Sequence, residues 1–182
     1  MAPAGAGTGV SEMSKVVLET RGLTKHYGGV HALEDANFVL HEGEHVAVVG
    51  DNGAGKSSLF RLICGLDQPS QGQLQLPPSK SPLPSVGLMF QNADEQIIFP
   101  TVEEELALSL HHLKLPRRES LARVNQWLQT RGMADWGPRA VGTLSQGQRQ
   151  HVCWLALNLA QHPILLLDEP FASLDLPSQA QL

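Results

Sequence analysis

The chain has 182 residues, enough for one domain with its own hydrophobic core or for part of a larger domain. Its formal net charge of -5 and its pI of about 5.9 exclude a general electrostatic attraction to nucleic acid or to anionic lipid. Any site that binds an anion must therefore be local.

The N-terminal segment, residues 1–14, has neither the basic start nor the continuous apolar core of a secretory signal. It is predicted to be a flexible tail, with Met13 as an alternative start. No stretch approaches the roughly 18 apolar residues that a bilayer span requires. Cys64 and Cys153 lie in separate apolar helical patterns and are predicted to be core residues, not a disulfide or a metal site. The eight histidines lack the spacing of metal ligands, which favours solvated or packed side chains.

Short β-branched runs predict the first strands, at residues 16–18, 37–40 and 46–49, and the third run leads into a glycine-rich loop. Helical spacing from Lys56 to Cys64 predicts a helix that Gly65 ends. A segment rich in Pro, Ser and Gln follows and contains a predicted edge strand at residues 73–76. The run "SVGLMF" then predicts a buried strand.

Three further helices are predicted in the second half of the chain. The first opens with a capping box of Thr101 and Glu104, the second covers residues 117–131, and the third opens with a capping box of Ser145 and Gln148. The continuous apolar run "ILLLD" after the third helix predicts a parallel strand covered on both faces. Strands that alternate with helices around an inserted helical stretch indicate an α/β sheet with a helical subdomain.

The segment "GDNGAGKSS", residues 50–58, fits the pattern Gly-x4-Gly-Lys-[Ser/Thr] between a predicted strand and a predicted helix. Its glycines permit backbone conformations in which successive amide groups converge on phosphate oxygens, and the helix N-terminus adds positive partial charge. Lys56 would neutralise the β- and γ-phosphates, and the Ser57 hydroxyl would bind Mg²⁺. The motif predicts a nucleoside triphosphate site, against the alternative of a flexible surface loop.

Two carboxylates follow the predicted strand "ILLLD", at the sheet edge where α/β proteins bind ligands. Asp168 would hold Mg²⁺ through water, and Glu169 would orient or deprotonate the attacking water. Alone, an apolar run that ends in Asp-Glu-Pro is explained equally well by an ordinary strand and turn. Together with the phosphate-binding loop, it predicts a hydrolytic nucleotide site.

The segment "LSQGQ", residues 144–148, with "ILLLDEP" and "SLD" after it, resembles the signature of the ATP-binding cassette family of ATPases. In that family a Leu-Ser-Gly-Gly-Gln segment at a helix N-terminus binds the γ-phosphate of ATP held by the opposite subunit. The resemblance implies that Ser145 and Gly147 make this contact in a head-to-tail dimer, and a capped helix N-terminus does attract anions. Gln146 departs from the family glycine. In isolation the segment would be interpreted as a simple capping box.

Three further residues match the same family. Tyr27 resembles the aromatic residue that stacks on adenine, and Gln91 the glutamine that contacts Mg²⁺ and the attacking water. Asp175 resembles a residue that communicates across the dimer. The resulting assignments are, for ATP, Tyr27, Gly50, Asp51, Asn52, Gly53, Ala54, Gly55, Lys56, Ser57, Ser58, Ser145, Gly147, Gln148 and Asp175; for Mg²⁺, Ser57, Gln91 and Asp168; and for catalysis, Glu169, Gln91 and Lys56.

The resemblance implies an α/β fold of the P-loop NTPase (RecA-like) type with a small antiparallel β subdomain. The core is expected at residues 15–91 and 163–182, and the inserted helical subdomain at residues 92–162. The family continues with a strand bearing a histidine that contacts the γ-phosphate, and no histidine follows His162. We therefore expect a C-terminally incomplete cassette that binds ATP weakly and hydrolyses it poorly.

The stretch "FQNADEQIIFPTVEEELALS", residues 90–109, resembles the same region of energy-coupling factor transporter ATPases, which serve vitamin, cobalt and nickel transporters. It implies the ATPase subunit of a biotin or cobalt/nickel importer, peripheral on the cytoplasmic face of the plasma (inner) membrane. The implied partners are a transmembrane coupling subunit, a substrate-binding membrane component and a second ATPase subunit, with no nucleic acid. The alternatives are an acidic solvated turn here, a hydrolysis-deficient cassette, the ATPase of another importer, and a soluble non-transport ATPase.

Overall fold

The computed structural model describes residues 15–76 and 85–170. The predicted tail at residues 1–14 lies outside them, as does Asp175. The described residues form two compact units, one of residues 15–56 and 68–76 and the other of residues 57–67 and 85–170. Each unit contains its own sheet.

The first unit is a three-stranded antiparallel sheet in the order β2-β1-β3. The strands are β1 at Val16–Tyr27, β2 at Val30–His41 and β3 at Gln71–Gln75. Gly28 and Gly29 join β1 to β2, and Gly28 has a φ of 58°, which glycine adopts without strain. β1 and β2 are longer than the predicted runs because each is the other's hairpin partner and bonds its backbone along most of its length.

The buried face of this sheet centres on β1, where Leu18 and Leu23 are almost completely buried. Thr20, between them, is also buried, and its hydroxyl has a hydrogen-bond partner: Oγ1 accepts a hydrogen bond from the Phe38 amide at 3.0 Å. The sheet therefore tolerates a polar side chain inside its apolar face.

The predicted strand at residues 46–49 is wrong, because these residues form no regular structure. Val46, Val48 and Val49 are exposed, Val49 by 88%. No strand within the described ranges 15–76 and 85–170 pairs with them. A run of β-branched residues favours a strand only where a neighbouring strand bonds its backbone, so propensity alone misled the prediction.

The second unit combines a parallel strand pair with helices. The helices of the described chain are α1 at Lys56–Ile63, α2 at Val102–Leu108, α3 at Arg117–Gln129 and α4 at Gln146–Ala160. The strands are β4 at Val86–Met89 and β5 at Ile164–Leu167, paired in parallel along their full lengths. Leu165 is exposed, so the prediction that β5 is covered on both faces is wrong for the residues described.

The core of the helical part forms where α2, α3 and α4 meet. Val102 and Leu106 of α2, Val124 and Leu128 of α3, and Val152 of α4 are fully buried in one cluster. The apolar spacing in each helix explains why these faces meet. Among the described helices, none has the length and apolar character to cross a bilayer.

The two predicted capping boxes have different outcomes. Ser145 Oγ accepts a hydrogen bond from the Gln148 amide at 3.2 Å, and Gln148 Oε1 accepts one from the Ser145 amide at 2.9 Å, so this box is confirmed. The box at Thr101 is wrong, because the Thr101 side chain bonds no backbone amide of the helix. Its hydroxyl donates instead to Glu104 Oε2 at 2.8 Å.

Candidate phosphate, metal and signature sites

Residues 50–56 of the first unit form the predicted phosphate-binding loop. Gly53 and Gly55 have φ values of 85° and 86°, in the left-handed region that favours glycine. A Cβ on Gly55 would lie 1.9 Å from the carbonyl oxygen of Ala32, so no other residue fits there without a shift of the backbone. Residues 51–54 are exposed, which leaves their backbone groups accessible to a ligand.

The side chain of Lys56 forms hydrogen bonds with the backbone of this loop. Its Nζ donates to the carbonyl oxygens of Gly50 at 2.8 Å and Asp51 at 3.0 Å. The Ala54 amide also donates to the Asp51 carbonyl at 3.0 Å, which closes a turn inside the loop. The ammonium group is therefore held beside the loop backbone by two carbonyl oxygens, and a positive charge at this place suits phosphate oxygens.

Tyr27 lies at the end of β1, beside the hairpin turn, and its ring is exposed. Lys25 Nζ lies 4.9 Å from the centre of this ring. Exposed aromatic rings of this kind stack on planar ligands in other proteins. Its role in binding adenine stays a prediction.

In the second unit, the carboxyl ends of β4 and β5 place two pairs of polar side chains together. Ser57 Oγ donates to Asp168 Oδ2 at 3.1 Å. Gln91 Nε2 donates to Glu169 Oε2 at 2.8 Å. Gln91 and Glu169 meet because the parallel strands β4 and β5 end at the same edge, and the Asp168 amide continues the pairing with a 3.0 Å bond to the Met89 carbonyl. Ser57 comes to Asp168 from the first turn of α1.

Glu169 occupies a strained backbone conformation. Its φ is 46°, in the left-handed region, and its side chain is exposed at the turn after β5. A non-glycine residue in this region costs roughly 1–2 kcal/mol. Such strain at a polar position in a turn is typical of functional sites.

The oxygen atoms of Ser57 and Asp168 fit a magnesium ion. A hydroxyl and a carboxylate oxygen 3.1 Å apart are both hard ligands of the kind that Mg²⁺ selects. Mg²⁺ keeps several waters and needs only one or two protein ligands, so this pair is sufficient. Gln91, also predicted as a metal ligand, uses its amide nitrogen on Glu169, which leaves its amide oxygen for a ligand.

The predicted signature residues lie at the N-terminus of α4. Ser145 is exposed and its side chain caps the helix, while Gly147 and Gln148 are half-buried in the first turn. Gln148 Oε1 is already bonded to the Ser145 amide, so this atom serves the cap. The helix N-terminus keeps other amides and its dipole for an anion.

These features follow one another along the chain in the order of a known family. A family model described as ABC transporter matches residues 33–172. The chain belongs to the ABC transporter family.

The relatives of this cassette include transport proteins of several kinds. It is 43% identical over 162 residues to the biotin transport ATP-binding protein BioM of Rhodobacter capsulatus, and 42% identical over 170 residues to the putrescine transport ATP-binding protein PotG of Escherichia coli. It is 37% identical over 174 residues to the energy-coupling factor transporter ATP-binding protein EcfA of Methanoculleus marisnigri. These alignments cover 86%, 87% and 91% of the chain, but only 69%, 43% and 63% of the three relatives.

Among solved structures, cbiO1 from Clostridium perfringens, described as part of the ABC transporter complex cbiONQ, is similar with a TM-score of 0.74 and 29% sequence identity. The superposition covers 92% of this cassette and 70% of that chain. The expected α/β P-loop fold is therefore confirmed.

The sequence prediction missed several residues that hold the segment between β4 and α2. Glu105 is 6% exposed, and its Oε2 accepts hydrogen bonds from the amides of Ile98 and Phe99, both at 2.9 Å. Arg149 and Gln150, at the start of α4, contact residues 94 and 90 of the cassette. A signal existed for Gln150, because it lies three residues before Cys153 and seven before Leu157, on the buried face of α4.

The three consecutive glutamates of α2 are each bonded to another residue of the second unit. Glu103 accepts a hydrogen bond from Asn125 Nδ2 of α3 at 2.7 Å. Glu104 pairs with Arg117, and Glu105 bonds the loop before the helix. Two of the carboxylates therefore join α2 to α3, and the third fixes the loop before α2.

Proposed function

We propose that this chain is the ATP-binding and ATP-hydrolysing subunit of a membrane importer of the energy-coupling factor type. The observation that carries the proposal is the pair of contacts after β4 and β5, Ser57 with Asp168 and Gln91 with Glu169. They join residues 111 and 78 positions apart in the sequence. An apolar run that ended in an ordinary turn would not explain two such pairs at one edge.

The residues divide the chemistry between binding and proton transfer. The loop at residues 50–56 and the Lys56 ammonium would bind the phosphates of ATP. Mg²⁺, held by Ser57 and Asp168, would neutralise charge that develops on the phosphate oxygens. Glu169 would accept the proton of the attacking water, and Gln91 holds the Glu169 carboxylate in a fixed orientation for this step.

A second ATPase subunit is part of the proposal. Ser145 is exposed, and its capping bonds fix the helix N-terminus that would contact the γ-phosphate bound by the other subunit. Gln146, which replaces the family glycine, is also exposed, so its side chain is directed away from the buried core. The role of Asp175 across the dimer stays a prediction, because this residue lies outside the described ranges.

An apolar surface on the second unit supports a membrane partner. Ile98 is 75% exposed, and Phe99 lines a groove of about 390 Å³. The rest of the lining is apolar at Ala107, Leu108, Leu115 and Leu121 and polar or charged at Glu104, His111, Lys114, Arg117 and Ser120. Exposed apolar surface of this kind is typical of protein interfaces. We propose that the transmembrane coupling subunit docks here, which would place the chain peripherally on the cytoplasmic face of the plasma membrane.

The transported substrate is proposed to be biotin or a cobalt or nickel ion. Support comes from the biotin transport protein and from cbiO1 among the similar proteins. The putrescine transport protein is almost equally similar, so similarity in the ATPase does not by itself select the cargo. A separate membrane component would bind the substrate.

Nucleotide binding tests the first part of the proposal. We expect the chain to bind MgATP, measured by calorimetry, and Lys56→Met to weaken binding about 100-fold because a charge-assisted contact to phosphate is lost. Lys114→Met is the matched control, since Lys114 is an exposed lysine after α2 and far along the chain from the loop. Equal affinity of the Lys56→Met variant and the wild-type chain would contradict the assignment.

Transport tests the second part. Cells that express the chain with its membrane partners should take up labelled biotin or cobalt, and uptake should stop in the Lys56→Met variant. Uptake of putrescine and of neither other substrate would favour a different ABC importer. If the chain hydrolyses ATP and no membrane protein associates with it, a non-transport ATPase would be favoured.

A further inference from the structure

Arg149, in the first turn of α4, bridges two segments of the second unit. Its Nη1 donates to the Leu144 carbonyl at 2.6 Å, directly before the capping residue Ser145. Its Nε lies 2.8 Å from Asp94 Oδ1, a contact that is an ion pair but is not aligned as a hydrogen bond. One guanidinium group thus contacts the signature segment and the segment that follows Gln91.

A second set of contacts reinforces this connection. Gln150 is only 2% exposed, and its Nε2 lies 3.5 Å from the Phe90 carbonyl. The Phe90 amide donates to Gln96 Oε1 at 3.1 Å. Ala93 packs in a buried cluster with Cys153 and Leu157 of α4 and Met89 of β4. Residues 90–96 and α4 are therefore joined by an ion pair, a hydrogen bond and apolar contacts.

We propose that Asp94 and Arg149 are positioning residues that transmit a displacement of the segment at residues 91–100 to Ser145. The inference rests on the proposed function, in which a membrane partner binds this segment and Ser145 contacts ATP on a second subunit. The physical reason is the bridge itself. When Asp94 moves, the charged guanidinium group follows it, and the Leu144 carbonyl follows the guanidinium group because it is bonded to the same side chain.

Hydrogen exchange on the 182-residue chain tests the bridge without nucleotide. In Asp94→Asn the amides of Gln148 and Arg149, which bond Ser145, should exchange about threefold to tenfold faster, because the ion pair that restrains Arg149 is lost. Asp94→Glu keeps the charge and should exchange like the wild-type chain.

The matched control is Asp135→Asn. Asp135 also pairs with an arginine, Arg139, and its side chain is 67% exposed against 60% for Asp94. It should leave the amides of Gln148 and Arg149 unchanged. Amides in the middle of α3 serve as the check that every variant is folded. Unchanged exchange at Gln148 in a folded Asp94→Asn variant would overturn the proposal.

A second measurement separates this inference from the proposed function. In a Glu169→Gln background, ATP should drive dimer formation, measured by analytical ultracentrifugation. Asp94→Asn should weaken the dimer about threefold to tenfold while the affinity of the monomer for ATP stays constant. If exchange responds but the dimer does not, the bridge carries no signal and the proposal is overturned. If the wild-type chain binds no ATP, the proposed function fails, and the exchange result still decides whether Asp94 restrains the signature segment.

Discussion

Replacement of Glu105 by alanine should destabilise the second unit strongly. The Glu105 carboxylate accepts two backbone hydrogen bonds of 2.9 Å and is almost completely buried. Hydrogen bonds to a charged group contribute roughly 1.5–3 kcal/mol each, which gives a gross loss of ~3–6 kcal/mol. Ile98 is largely exposed, so its amide recovers a bond to water, and the expected loss falls to about 2–4 kcal/mol. Glu105→Gln keeps an acceptor oxygen of the same reach and should lose only about 1 kcal/mol.

Urea unfolding followed by tryptophan fluorescence measures this loss. The three tryptophans, Trp127, Trp136 and Trp154, all lie in the second unit, so their emission reports on that unit. Glu119→Ala is the matched control, because Glu119 also lies in the first turn of a helix but pairs with Arg123 at the surface. The control should lose less than about 0.5 kcal/mol. If Glu105→Ala costs no more than Glu119→Ala, the argument from buried hydrogen bonds is refuted.

Three other predictions test the loop, the helix α4 and the proposed catalysis. Gly55→Ala should lower the free energy of unfolding by at least about 2 kcal/mol more than Gly43→Ala, and it should abolish MgATP binding. Both glycines have a positive φ, but of the two only Gly55 lies close to a backbone oxygen, that of Ala32. Equal effects of the two substitutions would count against this. Burial lowers the pKa of His151 in the folded chain below its usual value of 6.5. The unfolded chain therefore binds this proton more tightly than the folded chain does, and the free energy of unfolding should fall as the pH drops through 6.5. His151→Gln should flatten this dependence between about pH 7 and 5 in urea titrations, and an unaltered slope would exclude His151 as its source. Glu169→Gln should retain MgATP binding, while the rate of phosphate release should fall by at least about 100-fold. Turnover at the wild-type rate in this variant would show that Glu169 is not catalytic.

Features set by neighbouring residues in the chain could be predicted from the sequence. The cap of α4 is one, because Ser145 and Gln148 lie three positions apart and bond only each other's backbone amides. The parallel strands after residues 85 and 163 are another, since short apolar runs in an α/β pattern have few alternatives.

Features decided by distant partners could not be predicted. The valines at 46–49 have strand propensity, but no described strand lies beside them to bond their backbone. Thr101 and Glu104 have the spacing of a capping box, yet the Glu104 carboxylate also pairs with Arg117, and Thr101 bonds that carboxylate in place of the helix amide. The bridge from Arg149 to Asp94 spans 55 positions, and sequence spacing does not show which acidic residue an arginine will meet.

The left-handed backbone of Glu169 has a consequence for directed evolution of this chain. Glycine at this position would remove roughly 1–2 kcal/mol of strain, so Glu169→Gly should raise the melting temperature. A library selected only for thermostability would therefore enrich variants that have lost the carboxylate proposed to take the proton from water. Selection for stability and selection for turnover should oppose each other at this residue, and engineering for robustness should keep position 169 fixed.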